Sequence, residues 1–447
     1  MIRRFGIILS AFLFVQFAGA QKIVWSYQMC IDTAIRRNII INQTRLTNEV
    51  NKINLKQSKA LRIPGVSGSA SEGFSFGRTI DPATNGYVSQ NYNSTNVGIN
   101  GNLMLFNGFQ NTRTILQNKL LVDAGLSDID QARDDIILNI TTAYLQVLLS
   151  YEILDAAKKQ SDADVTQVDR TQKMVNAGKV PELNLFQIQS QMATDNLAVV
   201  NAQSNLDIAR VTLMQLMEVP VIDSFDIVKP AITEPSGIPP LSNVDIYTKA
   251  LSVVPDIKSA GIRTNSALLG IRISEGARYP RLNVTGGVNS NYSSTRTLGT
   301  YAKPEAYPFE RQLWDNLGQN LGLSLAIPIY SNRQIKSNIE RAKINLLNAQ
   351  LSEQNTKNQL RKIIEQSYTD LKNSLKKFEA TKDQYRTAEV SYHSIEKKYN
   401  VGMMTAIDYL VEKNNFAQAE SNLIQSKYNF IFKSKILDFY QGIPIQF

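Results

Sequence analysis

The sequence predicts a mixed α+β protein built from two similar halves, in which short strands with one apolar face accompany very long helices. Three observations lead to this fold class. The stretches 110–177 and 333–401 contain no proline, as expected for long helices. Four shorter segments alternate apolar and polar residues, which is the period of a β-strand. Residues of the two halves also match each other at nearly constant spacing along the 447-residue chain.

The composition excludes several classes of protein. Hydrophobic residues make up 43% of the chain and charged residues 19%, which excludes a disordered chain. The single cysteine excludes an intramolecular disulfide, and a single histidine beside it excludes a His/Cys metal cluster within one chain. The net charge of +9 does not by itself indicate nucleic acid binding. No phosphate-binding loop or catalytic motif is present, so we expect no enzyme, no metal site and no cofactor.

Residues 1–20 are predicted to be a secretory signal peptide. The basic residues Arg3 and Arg4 lie near the start, an apolar run follows, and an A-x-A sequence ends the segment. These are the three parts of such a peptide. The apolar run is shorter than the roughly 20 residues of a membrane-spanning helix. We therefore expect an exported mature chain that begins at Gln21 and has no membrane-spanning helix after position 20.

The mature chain is predicted to contain an internal duplication. Ala34 and Ala250 are 216 positions apart, whereas Gly178 and Gly402 are 224 apart, a difference that one loop insertion explains. Residues 220–240 contain five prolines and are predicted to form an extended connector. The predicted organisation is a first repeat at 21–219, the connector, and a second repeat at 241–447. Each repeat contains a helix, two strands and a long helical hairpin.

The alternating strands have one apolar and one polar face. In one of them, Leu321, Leu323 and Leu325 oppose Asn320 and Ser324. A soluble sheet with one solvated face and a membrane barrel with lipid-facing side chains both give this pattern. Four strands cannot close a barrel, because the smallest outer-membrane barrels have about eight. Open sheet edges are not tolerated in lipid, so the membrane interpretation requires several chains to share one barrel.

The proline-free stretches are predicted to form helices of about 100 Å, at 1.5 Å per residue. Their apolar residues recur every seven positions, which is typical of coiled-coil packing; a plain two-stranded coiled coil is the alternative. A second row in the first helix is mostly small and consists of Ala143, Ser150, Ala157, Asp164 and Thr171. The apolar rows are Ile140, Val147, Leu154, Ser161, Val168 and Val175 in the first half, and Ile364, Leu371, Phe378, Tyr385, Tyr392 and Tyr399 in the second.

This arrangement resembles the trimeric outer-membrane efflux proteins typified by TolC. The resemblance covers essentially the whole mature chain and rests on the duplicated helix–strand–strand–helix–helix order, the segment 105–108 and the turns at 176–181 and 400–405. It implies a trimeric 12-stranded outer-membrane β-barrel, with four strands per chain, continued by a long periplasmic α-helical coiled-coil barrel.

The resemblance also implies a function. It is that of a passive exit channel in a tripartite efflux or type I secretion system, which carries drugs, other small compounds or proteins across the periplasm and the outer membrane. The implied partners are two further copies of the chain, a periplasmic adaptor protein, an inner-membrane pump and outer-membrane lipid, with no nucleic acid. An exported coiled-coil structural protein with a small soluble β-cap is the alternative.

The same resemblance implies a periplasmic gate near the second turn. Asp408, followed by Tyr409, occupies the gate position, and Asn184 is its counterpart in the first repeat. Three copies of Asp408 would form an acidic ring that attracts cations. Val411 replaces a second acidic residue of the family, so the ring is expected to carry less charge. The residues alone predict a capping box, with Thr405 as the N-cap and Asp408 three positions later, and both roles stay open.

The two turns are expected to be the surface on which the adaptor docks. On the residues alone, the two glycines are predicted to end their helices in the left-handed conformation. Away from these turns, Cys30 is expected to be a buried, inert thiol and His393 a surface residue. The docking residues implied by the resemblance are Gly178, Lys179, Val180, Pro181, Gly402, Met403, Met404 and Thr405.

Overall fold

The computed structural model describes residues 24–80, 85–89, 91–221, 224–231, 237, 242–300 and 303–446. The predicted signal peptide and ten of the 21 residues of the predicted connector lie outside the described residues. The first half contains β1 (Val24–Trp25), α1 (Tyr27–Arg37), α2 (Ile39–Ala60), β2 (Gly65–Ser75), β3 (Arg78–Ile80), β4 (Tyr87–Ser89), β5 (Tyr92–Asn107), α3 (Gln110–Asn176) and α4 (Glu182–Leu216). Then come β6 (Asp226–Ile227), α5 (Asn243–Val253), α6 (Pro255–Gly276), β7 (Arg281–Ser293), β8 (Thr297–Thr300), β9 (Lys303–Ala306), α7 (Phe309–Asp315), β10 (Gly318–Ala326), α8 (Gln334–Asn400) and α9 (Ala406–Tyr440).

The predicted long helices are confirmed. Helices α3 and α8 each contain 67 residues, and each is followed by a returning helix of 35 residues, α4 or α9. We call α3 with α4 the first hairpin, and α8 with α9 the second hairpin. Most members of the apolar rows are buried, including Ile140 and Val147 in α3 and Ile364 and Leu371 in α8. The seven-residue period therefore marks the packed seams of these helices.

The prediction of one opening helix in each half is wrong, because each half begins with two. Asn38 and Val254 have non-helical backbone, with ψ near 127° and 120°. Val254 precedes Pro255, and proline disfavours helical backbone in the residue before it. Asn38 starts a new helix, since its Oδ1 accepts a hydrogen bond from the Ile41 amide at 3.0 Å, as an N-cap residue does.

Contacts divide the chain into two compact units. The sheet unit consists of Thr44–Asp128 and Asp256–Thr356, and the hairpin unit contains Ile129–Pro255 and Lys357–Phe447 together with the segment up to Gln43. Each unit draws on both halves of the sequence. The helices α3 and α8 each contribute residues to both units. The turns at 176–181 and 400–405, which end the two hairpins, both lie in the hairpin unit.

The sheet unit contains a four-stranded antiparallel sheet in the order β10-β7-β5-β2. Its register aligns the apolar faces of the strands: Leu323 lies opposite Val284, and Val284 lies opposite Leu103. Polar residues align in the same way on the other face, where Asn100 pairs with Ser67. Within the described chain, β2 and β10 are the edges of this sheet, each with one neighbouring strand.

Helix α3 contains an 18-residue stretch that is long and apolar enough to cross a membrane. This criterion concerns length and composition only, so the expectation that no membrane-spanning helix follows position 20 stays a prediction. Half of the stretch is buried inside the protein, as in a core helix, which meets the same criterion.

The two isolated side chains lie where the sequence predicts. Cys30 is fully buried in α1 and is the only cysteine of the chain, and burial raises the pKa of its thiol to about 12. The imidazole of His393 is exposed on α8, with its Nδ1 at 3.3 Å from a carboxylate oxygen of Glu396. Neither residue belongs to a group of three or more potential metal ligands among the described residues.

Candidate functional site

Both hairpins end in the same glycine turn. The Gly178 amide donates to the Val175 carbonyl at 2.8 Å and the Lys179 amide to the Met174 carbonyl at 2.9 Å. The second turn repeats these bonds from Gly402 and Met403 to the last residues of α8, both at 2.9 Å. This pair of bonds is the Schellman motif. The φ angles of +68° at Gly178 and +82° at Gly402 confirm the predicted left-handed helix ends.

The predicted capping box at the start of α9 is also confirmed. The Thr405 hydroxyl accepts a hydrogen bond from the Asp408 amide at 3.2 Å. In return, Oδ2 of Asp408 accepts from the Thr405 amide at 3.3 Å and from its hydroxyl at 2.7 Å. The Asp408 carboxylate remains exposed while it caps the helix. The structure therefore leaves its charge available at the hairpin end.

The first hairpin has a different start to its returning helix. Pro181 is the N-cap residue of α4 and makes no side-chain capping bond. The amide of Asn184, the counterpart of Asp408, donates to the Pro181 carbonyl at 3.0 Å. An uncharged side chain thus occupies the matching position of the first hairpin.

Tyr409 is buried, although its neighbour Asp408 is exposed. It belongs to an apolar cluster, called here the tip cluster, that consists of Ile188, Tyr392, Tyr399, Ala406 and Tyr409. The rings of Tyr399 and Tyr409 stack with their centroids 5.0 Å apart, and the hydroxyls of Tyr392 and Tyr409 are 3.4 Å apart. Burial raises the pKa of Tyr409 well above its ordinary value. In this conformation Tyr409 packs the hairpin ends and does not line a free surface.

Polar contacts beside the tip cluster join the two hairpins. The hydroxyls of Thr171 and Tyr399 lie 3.4 Å apart. Further from the ends, Gln191 of α4 donates to the side-chain carbonyl of Asn414 on α9 at 3.1 Å. The first and second hairpins therefore contact each other through side chains close to both turns.

A largely buried group of three charged residues, in which only the Asp195 side chain is partly exposed, at 13%, lies next to these contacts, and sequence reasoning missed it. The Lys413 ammonium on α9 donates to Asp164 on α3 and to Oδ2 of Asp195 on α4, the latter at 2.6 Å. Lys413 is 0% exposed and Asp164 is 1% exposed. We call these three residues the buried triad. One sequence signal was available, since Asp164 is the only charged member of its row of small residues.

The environment of the buried triad shifts the pKa values of its two carboxyl groups in opposite directions. Burial, together with a hydrogen bond to Asp195, raises the pKa of Asp164 to about 6, although Lys413 opposes this shift. Burial also acts against ionisation of Asp195, but its hydrogen bonds with Asp164 and Lys413 hold its pKa below its usual range. Oδ1 of Asp195 further accepts from Gln191 at 2.9 Å. Asp195 is therefore the better supported anion of the two.

Sequence comparison places the chain in a family. The model of the outer membrane efflux protein family matches residues 30–218 and 246–437, which together make up most of the chain. The chain belongs to the outer membrane efflux protein family. As a member of this family, it is an exit channel of efflux systems in the cell outer membrane.

Two curated relatives cover most of this outer membrane efflux protein. The outer membrane protein TolC of Escherichia coli (strain K12) is 25% identical over 359 residues, which are 78% of this chain and 70% of TolC. The outer membrane efflux protein BepC of Brucella suis biovar 1 (strain 1330) is 23% identical over 406 residues, which are 90% of this chain and 82% of BepC. Both matches extend across the two halves of the sequence.

Solved structures share the fold. The outer membrane protein VceC from Vibrio cholerae superposes with a TM-score of 0.77 at 16% identity, over 94% of this chain and 97% of VceC. The CmeC outer membrane channel of Campylobacter jejuni superposes with a TM-score of 0.74 at 19% identity, over 93% and 85% of the two chains. The family and this fold favour the channel over the exported coiled-coil protein with a soluble β-cap.

Proposed function

We propose that three copies of this chain form a passive exit duct, in which they share a 12-stranded β-barrel in the outer membrane above a coiled-coil barrel of hairpins. The duct carries drugs or other small compounds, or proteins, that a pump in the inner membrane delivers. Energy comes from the pump, because the chain presents no nucleotide-binding motif. The two similar halves of the sequence would supply alternating hairpins around the duct.

The observation that carries this proposal is the four-stranded sheet with two free edges. Strands β2 and β10 each have one neighbour in the described chain, and an open edge in lipid leaves backbone groups without partners. Pairing β2 of one copy with β10 of the next removes every edge when the ring closes. Three copies of four strands satisfy this condition at a size well above the smallest barrels of about eight strands.

The apolar face of the sheet supports a lipid-facing surface. Leu321, Leu323 and Leu325 are 85%, 69% and 60% exposed in the single chain. Trp314, before β10, and Tyr330, after it, are also largely exposed, which suits the aromatic girdles at the two membrane surfaces. The opposite face, rich in asparagine and serine, would line the water-filled lumen.

The hairpin ends are proposed to meet a periplasmic adaptor. Large apolar side chains are exposed on both, among them Leu183 and Phe186 at the first and Val401, Met403 and Ile407 at the second. Exposed apolar patches of this kind mark protein interaction sites. The docking surface would comprise these side chains and the two turns, 178–181 and 402–405.

The entrance is proposed to be lined by Asp408, with Asn184 beside it. Since the Asp408 carboxylate is exposed while it caps α9, three copies would place three negative charges around the opening. Such a ring favours cations over anions. Tyr409 would support the entrance from behind, through the tip cluster.

The mass of the protein extracted by detergent from an outer-membrane fraction tests the shared barrel. We expect a trimer that survives extraction and forms conducting channels in a planar lipid bilayer. A soluble monomer or dimer in the periplasmic fraction would contradict the proposal and favour the exported coiled-coil protein.

Gly178→Pro tests the docking surface separately. Proline cannot adopt the φ of +68° at this position, and it removes the amide that bonds to Val175. We expect the trimer to assemble and efflux to be lost. A variant that fails to assemble would assign the turn to folding instead of docking.

A further inference from the structure

The charges of the buried triad do not balance. One ammonium, on Lys413, faces the two carboxyl groups of Asp164 and Asp195. If all three groups are ionised, the buried site carries one uncompensated negative charge, which is costly away from water. Oδ2 of Asp164 is buried and has no hydrogen-bond partner in the described part of the chain. A single proton on Asp164 would remove the excess charge and give that carboxyl group a donor.

The two carboxyl groups are placed to share this proton. Oδ1 of Asp164 and Oδ2 of Asp195 accept from the same Lys413 ammonium, and the interaction between the two carboxyl groups acts in opposite directions on their pKa values. The groups that face Asp164 are Asp195 on α4, Lys413 and Tyr409 on α9, and Tyr392 on α8. Both tyrosines stay neutral because burial raises their pKa values. Asp164 is therefore the member of this group that titrates near neutral pH.

The site also has a route to solvent. Asp195 lines a half-open cavity of about 190 Å³ between α3, α4 and α9, whose other walls include Glu420 and several alanines. A proton can therefore reach the carboxyl pair from this cavity without separation of the helices.

We propose that Lys413, Asp164 and Asp195 form a proton-binding latch that holds the second hairpin against the first and so sets the width of the periplasmic entrance. With the proton bound, Lys413 and the shared acid pair join α9 to α3 and α4. With the proton released, the excess buried charge weakens the contact and the hairpins separate more readily. Lys413 lies five residues after Asp408 on α9, so movement of this helix moves the entrance residue with it. This inference rests on the proposed function.

The direction of the pH dependence follows from the titration of Asp164. Its pKa in the folded protein is about 6, above the ordinary value of 3.8, so the folded state retains the proton between these limits. The stabilisation of the hairpin contact by this group is therefore lost as the pH rises through about 6. The pKa of Asp195 is lowered from 3.8, so this group changes the stability of the contact only below about pH 3.8 and not between pH 3.8 and 6.

The test measures the distance between the hairpins and the conductance on the same protein. Spin labels at Gln172→Cys on α3 and Lys397→Cys on α8, both exposed, report the distance, and buried Cys30 does not take a label. Between about pH 5 and about pH 8, we expect the distance and the conductance of the wild type to increase together, with a midpoint near pH 6. Asp164→Asn imitates the protonated acid, so it should hold the short distance and the low conductance throughout.

Lys433→Met is the matched control, because Lys433 on the same helix pairs with Asp370 of α8 at 2.7 Å, within the second hairpin and partly exposed. It should keep the wild-type transition, whereas Lys413→Met should hold the long distance at every pH. A wild-type distance that does not change with pH, or an Asp164→Asn transition like that of the wild type, would overturn the latch. A pH-dependent distance in a protein that conducts nothing would support the latch and refute the proposed channel.

Discussion

The side-chain amide of Asn48 on α2 lies directly over the backbone of Gly125 on α3. A Cβ atom at position 125 would come within 2.3 Å of the Asn48 Oδ1 and 2.7 Å of its Cγ. Asn48 is 1% exposed, and neither atom of its amide has a hydrogen-bond partner among the described residues. The Asn48 amide is therefore held against Gly125 by close packing and not by hydrogen bonds. Only a residue without a Cβ atom leaves room for it, which explains why a glycine occurs within this 67-residue helix.

Gly125→Ala should destabilise the protein by about 1–3 kcal/mol, the usual cost of overpacking a close contact. Gly261→Ala on α6 is the control, because nothing lies within 4 Å of its Cβ position. It should be neutral or stabilising by up to about 1 kcal/mol, the helix preference for alanine over glycine. Denaturant unfolding of the detergent-solubilised protein measures both. Equal stabilities of the two variants would contradict the assigned contact.

Asn48→Ala should rescue Gly125→Ala. The truncation removes the atoms that the new methyl group meets, together with a buried amide that has no partner. In a double-mutant cycle the combined loss should thus be smaller than the sum of the single losses. Additive losses would show that the two residues do not interact.

Leu323→Lys should prevent stable insertion, because Leu323 lies on the apolar face of β10 and is 69% exposed. Lysine facing lipid at mid-depth costs roughly 2–4 kcal/mol per copy. Ser324→Lys changes the adjacent residue on the polar face, where the charge would enter water, and it should insert normally. The amount of trimer in the outer-membrane fraction is the measurement. Similar behaviour of both variants would contradict the assignment of the faces.

Thr405→Val and Asp408→Asn should separate capping from gating. Thr405→Val removes the N-cap hydroxyl and keeps the carboxylate, so it should lose roughly 0.5–2 kcal/mol of stability and leave ion selectivity unchanged. Asp408→Asn removes the charge and should reduce cation selectivity in bilayers. Unchanged selectivity and gating in Asp408→Asn, and in Asp408→Ala, would leave Asp408 only its capping role.

Cys30 should resist alkylation in the folded protein. Burial raises the pKa of its thiol to about 12, whereas an unfolded cysteine titrates near 8.5. Maleimide at about pH 8 should therefore modify it only after denaturation, and Gln172→Cys should react at once as the exposed control. Because the folded thiol holds its proton to higher pH, its contribution to stability is lost as the pH rises from about 8.5 towards 12. Rapid labelling of native Cys30 would contradict the burial.

The long helices could be predicted from sequence because their signal is local and repeated. A proline-free stretch with a seven-residue period fixes α3 and α8 to within a residue or two of their observed ends. The break at Val254 had a local signal in Pro255. The break at Asn38 had none beyond a residue type that often caps helices, so it was missed.

At the hairpin ends, too, the features with a local sequence signal could be predicted and the contact between distant parts of the chain could not. Gly178, Gly402 and the Thr405–Asp408 capping box depend on residues within one turn, and each was predictable. The buried triad depends on which face of α9 meets α3 and α4, and nothing local to Lys413 gives that information. A charged residue in a row of small residues, as at Asp164, is the signal that can direct attention to such a site in other sequences.

The free edges of β2 and β10 have a consequence for how the protein matures. In the proposed barrel the sheet completes its backbone bonds only with partner strands, so a lone chain in transit would carry an exposed apolar surface and two unpaired edge strands. Productive assembly and aggregation then compete for the same edges, and the outcome depends on the local concentration of chains. The stability of a sheet shared in this way would therefore depend on how many chains are present together in the envelope, and overproduction is the condition under which we expect it to misassemble.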